Sequence, residues 1–423
     1  MRTNRWAVFV LYQAGPMAVA GTTLVVWPLL GRVLPPADVG TLSGLLAIVS
    51  ICAPVITFGL HLHLANRLAR NPNRSAGSDG AVGAYWGRGL LGLAALGVIG
   101  MLIWPGNPVW QLTGITAATG ATMIVLGLNR GLNRPWTYAM LTVGAQFLAL
   151  LGLTLGGVAT GSLQEALVAY VLLLMATAGI GLALRREKRE TSRSDRLHVL
   201  AGSFRLVPHL VLAVATLLLT RLVVGAIEGP SSLAAFQYAA LIIGGLTTVG
   251  ASLDAHWSVR AQETSSPSEL TTVLARNLRL MLLAGLLLIA TVVVFSSTLL
   301  AVWLPPGYAV GAVRNAVFLS LTAGIFQALA DNRSAGLMWH GRGGVVSVCT
   351  ALGVAVTLGT SVLLVEVFGW QGAGLAIALG TATRAAALLI AVQRTSLRLD
   401  GRSVVWTIAA VLLALSPVLM IGK

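Results

Sequence analysis

Apolar residues run along this chain in stretches of about 20, the length at which a helix crosses a bilayer. Short connections rich in Gly, Pro or Arg separate them. The stretches lie near 6–30, 40–64, 85–104, 109–128, 137–158, 165–184, 206–227, 232–256, 278–302, 312–332, 345–367, 372–392 and 404–421. They predict an all-α polytopic membrane protein of about 13 transmembrane helices. The first stretch follows only Arg2 and Arg5 and lacks a small-residue cleavage site, so it is expected to insert uncleaved. Pro16 and Pro54 lie within spans and predict bends there, because proline removes a helical hydrogen bond.

The polar positions set an orientation. Basic residues crowd every second connection: Arg67, Arg70 and Arg74; Arg130 and Arg134; the run from Arg185 to Arg196; Arg276 and Arg279; Arg333 and Arg342; Arg394, Arg398 and Arg402. The opposite connections hold only Arg32 and Lys423. Positive loops stay on the cytoplasmic side, so the N-terminus is expected there. The opposite connections, GRVLPPADVG, WPGNP, ATGSLQ, EGPSS, LPPGY and FGWQ, are too short to fold as a domain. Function must then sit among the helices.

Composition agrees, with 56% hydrophobic and 10% charged residues where soluble domains carry roughly 25% charged. A net charge of +15 gathered in one basic domain would suit a nucleic acid. Spread over short loops it marks topology instead, and no nucleic-acid partner is expected. Cys52 and Cys349 lie in apolar runs without metal-ligand neighbours, so neither metal nor cofactor is expected.

The chain also resembles itself. GRVLPPADVGTLSGLLAIVSI from Gly31 and GAIEGPSSLAAFQYAALIIGG from Gly225 both pass from a helix end through Gly or Pro into a new apolar helix. The turns WPGNP and LPPGY end the third and ninth spans. Such an offset is what a duplicated transporter leaves. The expected organisation is a six-helix lobe with its linker at 1–196, a second six-helix lobe at 197–392 related by a pseudo-two-fold repeat, and an additional helix at 393–423. Small residues such as Gly372, Ala376 and Gly380 suit close helix packing.

Three basic residues remain that topology does not explain: Arg221, Arg314 and Arg384. Arg221 stands roughly 18 Å from the inner end of its span and about 10 Å from the outer end, and Arg384 roughly 12 Å from its inner end, at 1.5 Å per residue. Side-chain snorkelling covers only part of such depths, so both are expected to face the protein interior. Each either meets a ligand or is held by neighbouring hydroxyls and carbonyls. Arg314, at the outer start of its span, suits interfacial anchoring or a cavity lining. Asp254 and Asp331 are expected at inner span ends, and Glu228 and Glu366 at outer ends. With no carboxylate at mid-membrane, an anionic substrate is favoured, for which arginine gives bidentate contacts. Gln146 and Gln237, like Gln327, are mid-span amides that either bind sugar hydroxyls or join helices.

Several segments carry a family resemblance. GRVLPPADVGTLSGLLAIVSI, LLLTRLVVGAIEGPSSLAAFQYAALI, WLPPGYAVGAVRNAVFLSLTAGIFQAL and EVFGWQGAGLAIALGTATR resemble, in order and spacing, successive hairpins of the Wzx-like polysaccharide flippases. These belong to the multidrug/oligosaccharidyl-lipid/polysaccharide (MOP) exporter superfamily, which also holds the multidrug and toxin extrusion (MATE) proteins. In the second segment Thr220 replaces a common Asp and Arg221 keeps the Arg. The resemblance implies a two-lobe bundle that moves lipid-linked oligosaccharide from the inner to the outer leaflet, with no covalent chemistry. Substrate-binding residues would be Arg221, Arg384, Arg314, Gln146 and Gln237. Partners would be the lipid-linked glycan, membrane lipids and, by association, glycan biosynthesis enzymes. Alternatives are a lipid II flippase, a cation-coupled multidrug exporter, and a membrane glycan polymerase or ligase. The last would want a long outer loop, which the chain lacks.

Overall fold

The computed structural model describes residues 5–393 except 71, 133, 185–192, 205 and 264–265, and, beyond them, 407–409, 411, 412, 414 and 415. The expected thirteenth span at 404–421 thus lies mostly outside the described residues. Those described form helices and the turns between them, without a strand. In order they are α1 (Arg5–Val33), α2 (Pro36–Ile56), α3 (Leu60–Arg70), α4 (Pro72–Ile103), α5 (Pro108–Gly131), α6 (Pro135–Val143), α7 (Ala149–Thr160) and α8 (Leu163–Ala183). There follow α9 (Arg193–Phe204), α10 (Val207–Glu263), α11 (Pro267–Trp303), α12 (Val310–Trp339), α13 (Gly343–Phe368) and α14 (Gly372–Val392). Among the described residues, nine stretches are long and apolar enough to cross a membrane, and Gly343–Val392 holds both α13 and α14.

Many large apolar side chains face outward, among them Leu96, Leu102, Val294, Val302, Val348 and Leu363. In water such a surface would aggregate. On helices of this length it is the face a bilayer covers.

Proline and glycine place the boundaries. Pro36, Pro108 and Pro135 open their helices, where a missing N–H costs nothing. The run α10 is broken at Gly229, whose φ of 84° and ψ of 177° are non-helical, followed by Pro230. The break falls inside the expected EGPSS turn. Four expectations fail in register. The span expected over 40–64 stops at Ile56, because Phe58 (φ 50°) and Gly59 (φ 66°) turn the chain. A separate helix α3 then begins, with Leu60, Leu64 and Leu68 buried along one face. The span expected over 137–158 is interrupted by a π turn, Gly144–Leu148, between α6 and α7. The linker expected through Arg196 is already helical from Arg193. The span expected over 312–332 continues to Trp339.

The chain divides into two compact units, residues 1–35 with 45–214, and residues 36–44 with 215–423. In the first, a core forms from Leu60, Leu64 and Leu68 of α3, Val82 and Leu90 of α4, Ile124, Val125 and Leu128 of α5, and Leu182 of α8. In the second, Val224, Leu233, Phe236 and Ile243 of α10 pack with Ala323 of α12, Val365 of α13 and Ile377 of α14. The two segments that resemble each other in sequence meet within this second unit. Gly40 and Gly44 of α2 lie against Pro230 and Leu233 of α10, and Ser43 Oγ donates to Gln237 Oε1 at 2.7 Å.

Candidate functional site

The second unit holds Arg221, Arg314 and Arg384. Gln327 and Asp331 stand four residues apart on α12, so their side chains share one face. Gln327 Nε2 donates to Asp331 Oδ1 and Oδ2, both at 2.9 Å. From α14, Arg384 donates through Nη2 to Asp331 Oδ1 at 3.0 Å and through Nη1 to Gln327 Oε1 at 3.1 Å. The ring is closed: each of the three side chains bonds the other two. The side chains of Arg384 and Asp331 are 13% and 18% exposed, so the pair is largely out of water. Arg384 reaches this place because α13 and α14 touch at glycine. A Cβ on Gly353 would meet Arg384 Cβ at 2.8 Å, and one on Gly380 would run into Thr357 Oγ1.

Asp331 was expected at the end of its span. It lies eight residues before Trp339, roughly 12 Å inside the helix at 1.5 Å per residue, the same depth as Arg384 before Val392. The polar run Asp331-Asn332-Arg333 lowers hydropathy enough to mimic a span end. Asn332 Nδ2 in fact bonds Leu274 O of α11 at 2.9 Å, and Arg333 Nη2 bonds Asn332 Oδ1 at 2.6 Å. Arg333, expected in a connection, is buried within α12. The i, i+4 spacing of Gln327 and Asp331 was the sequence signal that could have found the ring.

Arg221 lies on α10 eight residues before the Gly229 break. Its Nε is buried and makes no hydrogen bond, and no ion pair reaches its guanidinium among the described residues. Its neighbour Thr220 is fully buried. Thr220 Oγ1 donates to Thr216 O at 2.8 Å and lies 3.3 Å from Ser361 Oγ of α13. A hydroxyl here joins two helices.

Arg314 sits in the second turn of α12, with Nε buried and unbonded and its guanidinium 6.0 Å from the Phe318 ring centroid. That is at the edge of cation–π range. Before α12, Tyr238 of α10 packs edge-on to Trp303 at 5.6 Å and to Tyr308 at 4.8 Å. Gln237 is buried and its amide oxygen is committed to Ser43. Gln146, in the first unit, lies within the π turn, an irregularity frequent at functional sites. Its side chain makes no hydrogen bond among the described residues.

This is the fold of the MOP-superfamily transporters. A multidrug-resistance MATE family transporter in an inward-facing conformation superposes with TM-score 0.68 at 14% identity, covering 98% of this chain and 99% of that one. The lipid II flippase MurJ, inward closed, gives 0.71 at 11% identity, covering 98% of each. A MOP-superfamily transporter from Pyrococcus furiosus, whose structure is described as having a binding pocket of reverse polarity that suggests a different function, gives 0.55 at 15% identity over 98% of this chain and 95% of that one. No curated protein matches the chain. The polysaccharide biosynthesis protein family model matches residues 7–245, more than half of the chain, and the protein belongs to that family.

Proposed function

We propose that the protein flips a lipid-linked oligosaccharide or polysaccharide precursor across the bacterial plasma membrane by alternating access, with its N-terminus in the cytoplasm and with lobes at 1–196 and 197–392. The observation that carries this reading is Arg221, a guanidinium deep in a membrane helix that, unlike Arg384, has no ion-pair partner among the described residues. A charge held there without compensation is costly, and a lipid diphosphate supplies both the opposite charge and paired acceptor oxygens. Arg314, with an unbonded Nε, is the second phosphate contact. Arg384 is held by Asp331 and Gln327 and contributes through the face that this ring leaves open. Gln146 and Gln237 are sugar contacts, Gln146 with an amide that makes no hydrogen bond among the described residues and Gln237 with only its NH2 to offer.

A cation-coupled drug exporter would want a free carboxylate at depth. Asp331 is such a carboxylate by position, but Arg384 at 3.0 Å occupies its cation side, which favours the anionic substrate. The test is flipping of labelled undecaprenyl-diphosphate-linked sugar in proteoliposomes. Wild type should flip it, Arg221→Ala should lose flipping at least tenfold at unchanged protein abundance, and Arg221→Lys should recover part. Equal flipping by wild type and Arg221→Ala would reject the assignment.

A further inference from the structure

A cavity of about 180 Å³ lies in the first unit, far from the arginines above in sequence and lined by the ends of three helices. Val125, Leu128 and Asn129 come from the last turns of α5, with Leu132 just beyond. Arg134 and Thr137 come from the start of α6, and Gly181 and Leu184 from the end of α8. The volume is well above the ~10–15 Å³ that one water needs. It persists where α5 and α8 are pressed together: a Cβ on Gly181 would run into Val125 Cγ1.

The lining has two chemistries. Val125, Leu128, Leu132 and Leu184 make apolar walls, while Arg134, Asn129 and Thr137 supply polar groups. Arg134 is exposed, and its side chain has no hydrogen-bond or ion-pair partner among the described residues. It is the N-cap of α6 and supplies no side-chain cap, Pro135 has no N–H, and the first helical bond runs from Tyr138 N to Arg134 O. The N–H groups of Trp136 and Thr137 lie in the first turn, at the positive end of the helix dipole, which favours anions. Asn129 is 7% exposed. Its Nδ2 is committed to Val125 O at 2.9 Å, which leaves its amide oxygen to accept a hydrogen bond.

Depth decides the ligand. Arg130 in the last turn of α5 and Arg134 at the N-cap of α6 flank one basic connection, and Trp136 beside the cavity is 69% exposed, the position of an interfacial aromatic. A pocket at headgroup level, basic at its rim and leucine-lined inside, matches an anionic phospholipid rather than a soluble ion. We propose that this cavity binds an anionic glycerophospholipid of the leaflet that the basic connections face, with phosphate at Arg134 and the α6 N-terminus, a headgroup hydroxyl donating to Asn129, and an acyl chain along Leu132 and Leu184. The leaflet rests on the orientation proposed above; the binding itself does not rest on flipping activity.

The test uses full-length protein in detergent and native mass spectrometry, with phosphatidylglycerol, phosphatidylcholine and inorganic phosphate as separate probes. Phosphatidylglycerol should bind at least tenfold more tightly than phosphatidylcholine and should not be displaced by millimolar phosphate. Arg134→Ala and Thr137→Leu should each weaken it severalfold, and Arg130→Ala, at an exposed arginine that does not line the cavity, should leave it unchanged. Equal losses in Arg134→Ala and Arg130→Ala would reduce the effect to general surface charge and overturn the site. Displacement by phosphate would overturn the lipid assignment. Thr137→Leu keeps the charge and so separates a lost site from a lost charge in Arg134→Ala.

Discussion

Arg384 and Arg221 are both arginines within membrane helices of the second unit, and they solve the cost of a buried charge in opposite ways. Both have a buried, unbonded Nε, but Arg384 has a carboxylate at 3.0 Å and an amide oxygen at 3.1 Å, while Arg221 has no ion-pair partner among the described residues. Neutralised groups tie helices together, whereas an uncompensated group is kept at an energetic loss and needs a reason from outside the fold. Depth alone, which is similar for the two residues, does not show this difference.

The largest effect should come from breaking the compensated side. Asp331→Leu removes the carboxylate and leaves the Arg384 guanidinium with Gln327 alone. Removing one partner of a buried pair costs about 3–5 kcal/mol, so the unfolding free energy in bicelles should fall by that order. Asp331→Leu combined with Arg384→Met should recover most of the loss, since an apolar pair of similar volume is often neutral. If the double variant is as unstable as the single one, the ring is not what stabilises α12 against α14.

Removing Arg221 should act with the other sign. Arg221→Met takes away a charge with no partner to strand, so stability should be unchanged or higher by about 1 kcal/mol, even as flipping is lost. A destabilisation as large as that of Asp331→Leu would show that Arg221 is a structural residue after all and collapse the contrast.

How much of this was readable from sequence follows local chemistry. EGPSS, WPGNP, LPPGY and FGWQ give helix ends because Gly and Pro act within their own turn: Gly229 breaks α10, and Asn107 caps α5 by accepting from Val109 N. Arg221, Arg314 and Arg384 were visible as charges in apolar runs. Their fates were not, because those depend on partners far along the chain: Asp331 is 53 residues from Arg384, and Ser361 is 141 from Thr220. The π turn at Gln146 and the turn at Phe58 also escaped. Nothing in VGAQFL marks an extra residue per turn, and phenylalanine is an unusual residue at positive φ.

The smallest effect probes Thr220, the neighbour of Arg221. Adjacent residues on a helix point about 100° apart, so a carboxylate at 220 would not face the guanidinium at 221; it would face Ser361, which is fully buried. Thr220→Val keeps the shape and removes the hydroxyl, leaving Ser361 Oγ without its neighbour at 3.3 Å. A hydrogen bond of this kind is worth about 0.5–1.5 kcal/mol in water and averages about 0.6 kcal/mol between membrane helices, so the loss should be at the low end and flipping should survive. Thr220→Asp should cost more, because it buries a carboxylate against a hydroxyl rather than pairing it with Arg221. If Thr220→Asp instead leaves stability intact and abolishes flipping, the carboxylate has reached Arg221. The arginine would then have been converted from the uncompensated kind to the compensated kind by one substitution.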